Sequence, residues 1–76
     1  MNGWEEKDAG LEKTFVFDTF AAAIAFVNDV ARLASLAEHH PDITITYNKV
    51  RIFLTTHDQG KVTQKDTMLA EQIDHI

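Results

Sequence analysis

The sequence predicts an α+β fold, in which two helices cover one face of a four-stranded antiparallel sheet in the order ββαββα. Two observations support this prediction. Residues 43–47 alternate apolar and polar side chains with a period of two, and residues 13–17 and 50–56 follow this pattern in part, beside short turn sequences. Two other segments space their apolar residues three and four apart, as helices do, and each follows a residue that favours a helix start.

The first hairpin is predicted from residues 3–7 and 11–17. These segments flank the turn-forming tripeptide Asp8-Ala9-Gly10. The alternation within the second flank is typical of a strand with one buried face.

The first helix is predicted from about residue 19 to residue 37. Thr19 is a good N-cap, and Pro41 should end the helix because it pushes His40 towards an extended conformation. The apolar stripe expected to be buried comprises Phe20, Ile24, Val27, Ala31 and Ala34, widened by Val30 and Leu33.

The second hairpin is predicted from residues 43–47 and 50–56, joined by a two-residue turn at Asn48-Lys49. That turn would set the register of the hairpin, and the apolar side chains that it pairs would lie on the face that the helices cover. The expected pairs are Tyr47 with Val50, Ile45 with Ile52, and Ile43 with Leu54.

Continuing the same count places Pro41 opposite Thr56 and His40 opposite His57. Proline donates no ladder hydrogen bond, so the pairing should fray there and hold only to within about a residue. We therefore expect His39, His40 and His57 to converge at one end of the hairpin.

The second helix is predicted to begin after Thr63, because residues 63–66 have the form of a capping box with Asp66 in its third position. Its buried face is expected to comprise Leu69, Ile73 and Ile76, with Val62 just before the cap.

The length of 76 residues predicts one small domain, residues 1–76, that buries about 60% of the surface its unfolded chain exposes. Such domains often need a further source of stability. The sequence has no cysteine, which excludes disulfides and thiolate zinc sites. The sources of stability that remain are self-association and a metal bound by histidines.

The charge and hydropathy patterns exclude several classes of partner. The formal net charge is −5 and the seven basic residues are scattered, which argues against direct binding of nucleic acid. No apolar run approaches the roughly 18 residues of a membrane span, and the first ten residues lack the features of a signal peptide. We expect a cytoplasmic protein with no membrane contact.

Three converging histidines could act in two ways. They could bind zinc and leave one coordination position open, although no HExxH motif supports this. They could instead carry out acid-base chemistry, because neighbouring imidazoles can hold one protonated and one neutral member near neutral pH. Taken singly, His39 or His40 could also simply complement the helix end, and His75 fits that structural role well.

The residues that carry a family pattern are Glu38-His39-His40-Pro41, Tyr47-Asn48-Lys49-Val50, Thr55-Thr56-His57 and Asp66. This pattern resembles that of the pterin-4a-carbinolamine dehydratase family. Gly3-Trp4 and residues 13–20 are also similar to that family's first hairpin and helix entry, so the resemblance covers nearly the whole chain.

The resemblance implies dehydration of 4a-hydroxytetrahydropterin to quinonoid dihydropterin, a step in recycling the pterin used by aromatic amino acid hydroxylases. The pterin is then the substrate, and no metal or dissociable cofactor is implied. The resemblance further implies catalytic roles for His39, His40 and His57, with His39 and His57 as the acid-base pair and His40 binding substrate. Positions implied to lie beside the pterin are Pro41, Thr56, Asp58 and Gln59, and the supporting acidic positions are Asp66 and Glu38.

The sequence departs from the family pattern in three places. The family usually begins with a further helix before the Gly-Trp pair, which this sequence lacks. Ser35 stands where an acidic residue is common, and Ile43 replaces an aromatic residue that could stack on a ligand. The first departure bears on assembly, and the other two bear on activity and substrate fit.

The expected function is therefore a cofactor-independent pterin dehydratase that forms a homodimer or homotetramer through sheet edges and helices. An alternative from a different class is a dehydratase-like scaffold that binds another protein, as a coactivator or an assembly chaperone.

Overall fold

Four antiparallel strands form one sheet in the order β1-β2-β4-β3, as seen in a computed structural model that describes residues 3–76. The elements are β1 (Glu5–Lys7), β2 (Gly10–Val16), α1 (Phe20–Ala37), β3 (Asp42–Thr46), β4 (Lys49–Leu54) and α2 (Gln64–Asp74). The order ββαββα and the α+β class predicted from the sequence are confirmed.

The core lies between the sheet and the two helices. Val50, Ile52 and Leu54 alternate along β4, so all three side chains point to the same face and are fully buried. Side chains from both helices close this layer: Ala23, Phe26, Val30 and Ala34 from α1, and Leu69, Ala70 and Ile73 from α2. Both helices therefore cover the same face of the sheet.

The first hairpin has a tighter turn than predicted. Lys7 pairs with Gly10, so the turn contains only Asp8 and Ala9, and Gly10 is the first residue of β2. Both turn residues have positive φ values, 52° and 63°, as a two-residue hairpin turn of type I′ requires.

The second hairpin turns at Tyr47-Asn48, and the predicted turn at Asn48-Lys49 is wrong. Ile45 consequently pairs with Val50 and Ile43 with Ile52, so each predicted partner is displaced by two residues. Because the displacement is even, the strand residues keep their predicted face. Tyr47 does not: it lies in the turn, with φ of 52° and an exposure of 68%.

Asn48 explains this choice of turn. The Phe17 N–H donates to the Asn48 carbonyl at 2.9 Å, and the Asn48 side-chain amide donates to the Phe17 carbonyl at 2.7 Å. Asn48, placed in the turn, thus makes two hydrogen bonds to the residue that follows β2.

Helix α1 has nearly the predicted bounds, but its buried face differs from the predicted stripe. Thr19 is the N-cap, with its hydroxyl accepting from the Ala22 N–H at 3.1 Å. The buried residues are Ala23, Phe26, Val30 and Ala34. Phe20 is 51% exposed and Ala31 is also exposed, so only part of the predicted stripe enters the core.

Glu38 ends α1, and Pro41 is not the direct cause as predicted. Glu38 adopts a left-handed conformation with φ of 51°. The His39 N–H then donates to the Ala34 carbonyl and the Glu38 N–H to the Ser35 carbonyl, which is the pattern of a Schellman motif. The chain has therefore already reversed before it reaches the proline.

Helix α2 begins at the predicted cap, Thr63, and buries Leu69 and Ile73 as expected. Ile76 lies beyond the end of the helix and is 48% exposed, so its predicted place in the buried face is wrong. Val62 is half-buried and packs against the core.

Helix α1 is long and apolar enough to meet a criterion for membrane-spanning helices, although no apolar run of that length was expected from the sequence. It has 18 residues with a mean hydropathy of 1.5, so by length and composition alone it could cross a membrane. It is the one such helix among residues 3–76, and a core helix meets the same criterion. Here one of its faces packs on the sheet.

The outer face of the sheet contains one close aromatic contact. The Phe53 ring lies over Gly10 in the neighbouring strand: a Cβ atom added to Gly10 would be 2.3 Å from Phe53 Cζ and 2.7 Å from the Leu54 carbonyl oxygen. Phe53 therefore covers the glycine instead of lining a cavity of the site described below.

We predict that Gly10→Ala lowers the free energy of unfolding by about 1–3 kcal/mol, because the new methyl group meets both a ring and the backbone. Urea denaturation followed by circular dichroism measures this change. Glu6→Ala, at an exposed position of β1, is the control and should change stability by less than about 0.5 kcal/mol. Equal effects of the two substitutions would contradict the prediction.

Candidate functional site

All three histidines expected to converge line one cavity of about 230 Å³. It lies between the end of α1, the segment after β4 and the start of α2. Its lining comprises Glu38, His39, His40, Thr55, Thr56, His57, Asp58 and Lys65.

The reversal at Glu38 brings two of the histidines to this cavity. Because Glu38 is left-handed, the chain folds back over the last turn of α1 instead of continuing along its axis. His39 and His40 follow this residue directly and precede β3. The His39 ring is largely buried, with 12% of its side chain exposed, whereas His40 is exposed.

His57 reaches the cavity by a different route from the one predicted. The observed register, extended beyond the strands, would place Thr55 and not His57 opposite His40. The β3–β4 ladder has in fact ended by then, and Thr56 forms an isolated bridge with Lys61. The N–H groups of Gln59 and Gly60 donate to the Thr56 carbonyl, closing a turn that presents His57 to the cavity.

A buried carboxylate, Asp66, lies behind this cavity and joins its parts. Asp66 Oδ1 is 2.5 Å from His39 Nε2. The other oxygen, Oδ2, accepts from the Thr56 hydroxyl at 2.7 Å and from the Thr63 N–H at 2.9 Å. Asp66 is fully buried, and a buried charge needs such partners to offset the loss of water.

The directions of the hydroxyl hydrogen bonds follow from these contacts. An ionised carboxylate only accepts, so the Thr56 hydroxyl uses its one hydrogen on Asp66. The Thr63 hydroxyl, 2.7 Å from Thr56 Oγ1, must then donate to it. The chain of donors runs from Thr63 through Thr56 to Asp66.

The pKa of the Asp66 carboxyl lies below its ordinary value. Burial raises this pKa, but the hydrogen bonds from His39, the Thr63 N–H and the Thr56 hydroxyl, with the charge on protonated His39, outweigh burial. Asp66 is therefore an anion at neutral pH.

The ionised Asp66 determines which ring nitrogen of His39 carries a proton. An anion accepts at His39 Nε2, so this nitrogen is the protonated one in the neutral ring. In this tautomer His39 Nδ1 carries no proton and does not contact Asp66. A carboxylate that orients a histidine in this way also stabilises the imidazolium that forms when Nδ1 is protonated.

The other residues singled out from the sequence lie at different places in and around the histidine cavity. Thr56, Asp58 and Glu38 line the histidine cavity, whereas Asp66 lies behind it. Pro41 is absent from the lining of that cavity, and Gln59 lines an adjacent one.

Two of the departures from the family pattern lie away from this cavity. Ile43 is half-buried, pairs with Ile52 and packs against the core. Ser35 is an exposed residue of α1. Neither residue contributes to the lining of the histidine cavity.

Three residues of the site were missed from the sequence: Thr55, Thr63 and Lys65. Thr55 and Lys65 line the cavity, and Thr63 completes the hydrogen bonds around Asp66. Lys65 lies in the first turn of α2, next to Asp66, and no sequence pattern singled it out. Thr63 was recognised only as a helix cap.

A shared zinc site has no geometric support in the described part of the chain. Among residues 3–76, no three histidine, aspartate or glutamate side chains are placed to hold a metal ion together. The arrangement is better suited to proton transfer, with one histidine held by a carboxylate and two others across a small cavity.

Comparison with known proteins identifies the family. A model of the pterin 4 alpha carbinolamine dehydratase family matches residues 1–76. The chain belongs to this family. The family resemblance expected from the motifs around the two adjacent histidines is therefore confirmed.

Several bacterial relatives share about half of their residues with this dehydratase-family chain. One from Roseiflexus sp. is 53% identical over 76 residues, which are 100% of this chain and 82% of the relative. One from Thermomicrobium roseum is 52% identical over 71 residues, covering 93% of this chain and 76% of the relative. Both are named "Putative pterin-4-alpha-carbinolamine dehydratase".

Two solved structures of dehydratase-like proteins have the same fold. A transcriptional coactivator/pterin dehydratase from Brucella melitensis matches with a TM-score of 0.94 and 30% identity, covering 99% of this chain and 82% of that one. A pterin dehydratase-like protein described as a RuBisCO assembly factor in the alpha-carboxysome matches with a TM-score of 0.78 and 25% identity, covering 95% and 83%. The fold therefore occurs in proteins with different named roles.

We predict that Asp66→Asn lowers the free energy of unfolding at pH 7 by about 1–3 kcal/mol, because it removes the charge that three donors satisfy. The pKa of Asp66 is lower in the folded than in the unfolded protein, where it is about 3.9. The contribution of ionised Asp66 is thus present above the unfolded pKa and is lost as the pH falls through the folded pKa. Urea denaturation between pH 7 and pH 3 should show the two proteins converging on acidification.

The control for this experiment is Thr67→Ala, which changes the same helical turn but leaves Asp66 and its three donors in place. Its stability should follow the pH dependence of the wild-type protein. A constant difference between wild type and Asp66→Asn across the pH range would contradict the prediction.

Proposed function

We propose that this protein catalyses the dehydration of a 4a-hydroxytetrahydropterin to the quinonoid dihydropterin, by histidine acid-base catalysis and without a metal or dissociable cofactor. The observation that carries the proposal is the histidine cavity, where His39, His40 and His57 surround one space and a buried Asp66 holds His39. Membership of the dehydratase family supports the same reaction.

The reaction requires two proton transfers at neighbouring atoms of the pterin. The C4a–O bond breaks as the hydroxyl group leaves with an added proton as water. The proton on N5 is removed, and its electron pair forms the N5–C4a double bond. No oxidant or reductant is needed, so an acid and a base placed on either side of the ring suffice.

His39 is proposed as the base that removes the N5 proton. Its Nε2 donates to Asp66, so its Nδ1 can accept a proton, and the resulting imidazolium lies against the carboxylate. Asp66 acts here as a positioning residue, since it is buried behind His39 and does not line the cavity.

His57 is proposed as the acid that protonates the leaving hydroxyl. It reaches the cavity from a separate segment, the turn after β4, and so faces the ligand from another direction than His39. His40 is proposed to bind the substrate, and Thr56, Asp58 and Glu38 border the same space. Pro41 and Gln59 are proposed to contact the substrate only at its margins. We further propose that the reaction takes place in the cytoplasm.

We predict that His57→Ala lowers kcat/KM for dehydration of a 4a-hydroxytetrahydropterin by about 10²- to 10⁴-fold, because it removes a general acid. His39→Ala should have an effect of the same order. Stopped-flow absorbance of the carbinolamine measures both rates.

The control is His75→Ala. This histidine caps the end of α2, where its Nδ1 bonds to the Glu71 carbonyl, and it lies outside the histidine cavity. Its kcat/KM should equal that of the wild-type protein. Wild-type protein that does not accelerate the dehydration, with His57→Ala no slower, would exclude the proposed function.

We also propose that the protein forms homo-oligomers through a partly exposed apolar stripe of α1, which consists of Phe20, Ile24, Val27 and Ala31. These positions share one side of the helix, and the stripe is only partly covered: Phe20 is 51% exposed, Ile24 and Val27 are half-buried and Ala31 is exposed. Ile45 of the edge strand β3 is another partly exposed apolar side chain. A second copy of this chain would cover such a surface.

We predict that Phe20→Glu shifts the protein to a smaller assembly, because it places a charge in the proposed interface. Size-exclusion chromatography with light scattering measures the mass in solution. Ala25→Glu, on the side of α1 that carries Asp29 and Arg32, should leave the mass unchanged. A wild-type protein that is monomeric at all concentrations tested would rule out this assembly.

A second candidate function is a scaffold that binds another protein. The partly exposed stripe on α1 favours it, and relatives of this fold are named as a coactivator and as an assembly factor. The two functions differ in what they need from the chain. The scaffold needs the stripe but not the histidines, so an inactive wild-type protein whose specific partner is lost in Phe20→Glu would favour it.

A further inference from the structure

Lys65 is the residue shared by three adjacent cavities around the site. It lines the histidine cavity and also a second cavity of about 270 Å³ with Thr63 and Gln64. It lines a third of about 300 Å³, between the end of α1 and α2, with Met68 and Gln72. Lys65 therefore borders the histidine cavity on the sides of both neighbouring cavities.

The ammonium group of Lys65 has no partner among residues 3–76. No carboxylate of that part of the chain lies within ion-pair distance of it, and its side chain makes no hydrogen bond there. The two carboxylates that border the same cavity, Glu38 and Asp58, likewise form no ion pair among those residues. Lys65 is thus a cation at the mouth of the site that forms no ion pair with residues 3–76.

The size of the histidine cavity determines which part of a ligand Lys65 meets. At about 230 Å³ it is smaller than the roughly 300–1,000 Å³ of sites that enclose a larger ligand. It has room for the bicyclic ring of a pterin between the histidines. A substituent at C6 of a ring held there would extend out of the histidine cavity, where Lys65 borders both neighbouring cavities.

We infer that Lys65 is a specificity-determining residue that selects pterins whose C6 substituent carries an anionic group. This inference rests on the proposed function, because it takes the histidine cavity as the site of the pterin ring. The flexible stem of Lys65 lets its ammonium group follow a carboxylate or a phosphate into either neighbouring cavity. Without Lys65, Glu38 and Asp58 would leave a mouth that repels such a substituent.

The test compares two fluorescent pterins of similar size, pterin-6-carboxylate and 6-hydroxymethylpterin, in equilibrium titrations against the full chain. The measured quantity is the ratio of their two affinities. Lys65→Met should lower the preference for the carboxylate roughly threefold to fivefold, the upper part of the range for one exposed ion pair. Lys65→Arg, which keeps the charge, should retain most of the preference.

Lys61→Met is the matched control, because it removes one positive charge from a nearby exposed lysine that lines none of the three cavities. Its affinity ratio should equal that of the wild-type protein. A ratio in Lys65→Met within about twofold of wild type would overturn the inference and leave the proposed function intact. A wild-type protein that binds neither pterin would contradict both the inference and the proposed function.

Discussion

The carboxylate of Asp66 is the interaction on which the arrangement of the site depends. Each of its hydrogen bonds reaches a different segment: His39 after α1, Thr56 after β4, and Thr63 at the start of α2. His39 is 27 residues from Asp66 in the sequence, whereas Thr56 and Thr63 are 10 and 3 residues away. A buried anion without such donors would be strongly unfavourable, so folding of the core brings all three to it.

The two oxygens of Asp66 take part in two different local structures. One oxygen belongs to the cap of α2, and the other holds the imidazole of His39. A residue that serves only as a helix cap could be replaced by other capping side chains. Here the replacement would also have to be an anion at neutral pH, which the lowered pKa of Asp66 provides. The structural role of Asp66 in the cap of α2 is therefore compatible with the role at His39 that we propose for it.

The elements could be predicted because their signals are local, whereas the register could not. Alternation along β3 and β4 shows which side chains share a face, and this parity survives the displaced turn. The turn itself is selected by a contact with Phe17, thirty-one residues before Asn48, which no local pattern reports. The convergence of the histidines was predicted from a β3–β4 register that differs from the observed one. It is produced instead by the left-handed Glu38 and by the turn after Thr56.

Helix α1 shows a further limit of reading periodicity alone. The spacing of Phe20, Ile24, Val27 and Ala31 is as regular as that of Ala23, Phe26, Val30 and Ala34, yet only the second set lies fully in the core. Hydrophobic periodicity identifies an apolar stripe but not the element that covers it. In a helix with two stripes, the small residues of the second set allow close approach to the sheet, and Phe26 fills the space beside Phe15 and Phe17. The stripe from Phe20 to Ala31 is only partly covered within this chain: Phe20 and Ala31 are exposed, and Ile24 and Val27 are half-buried.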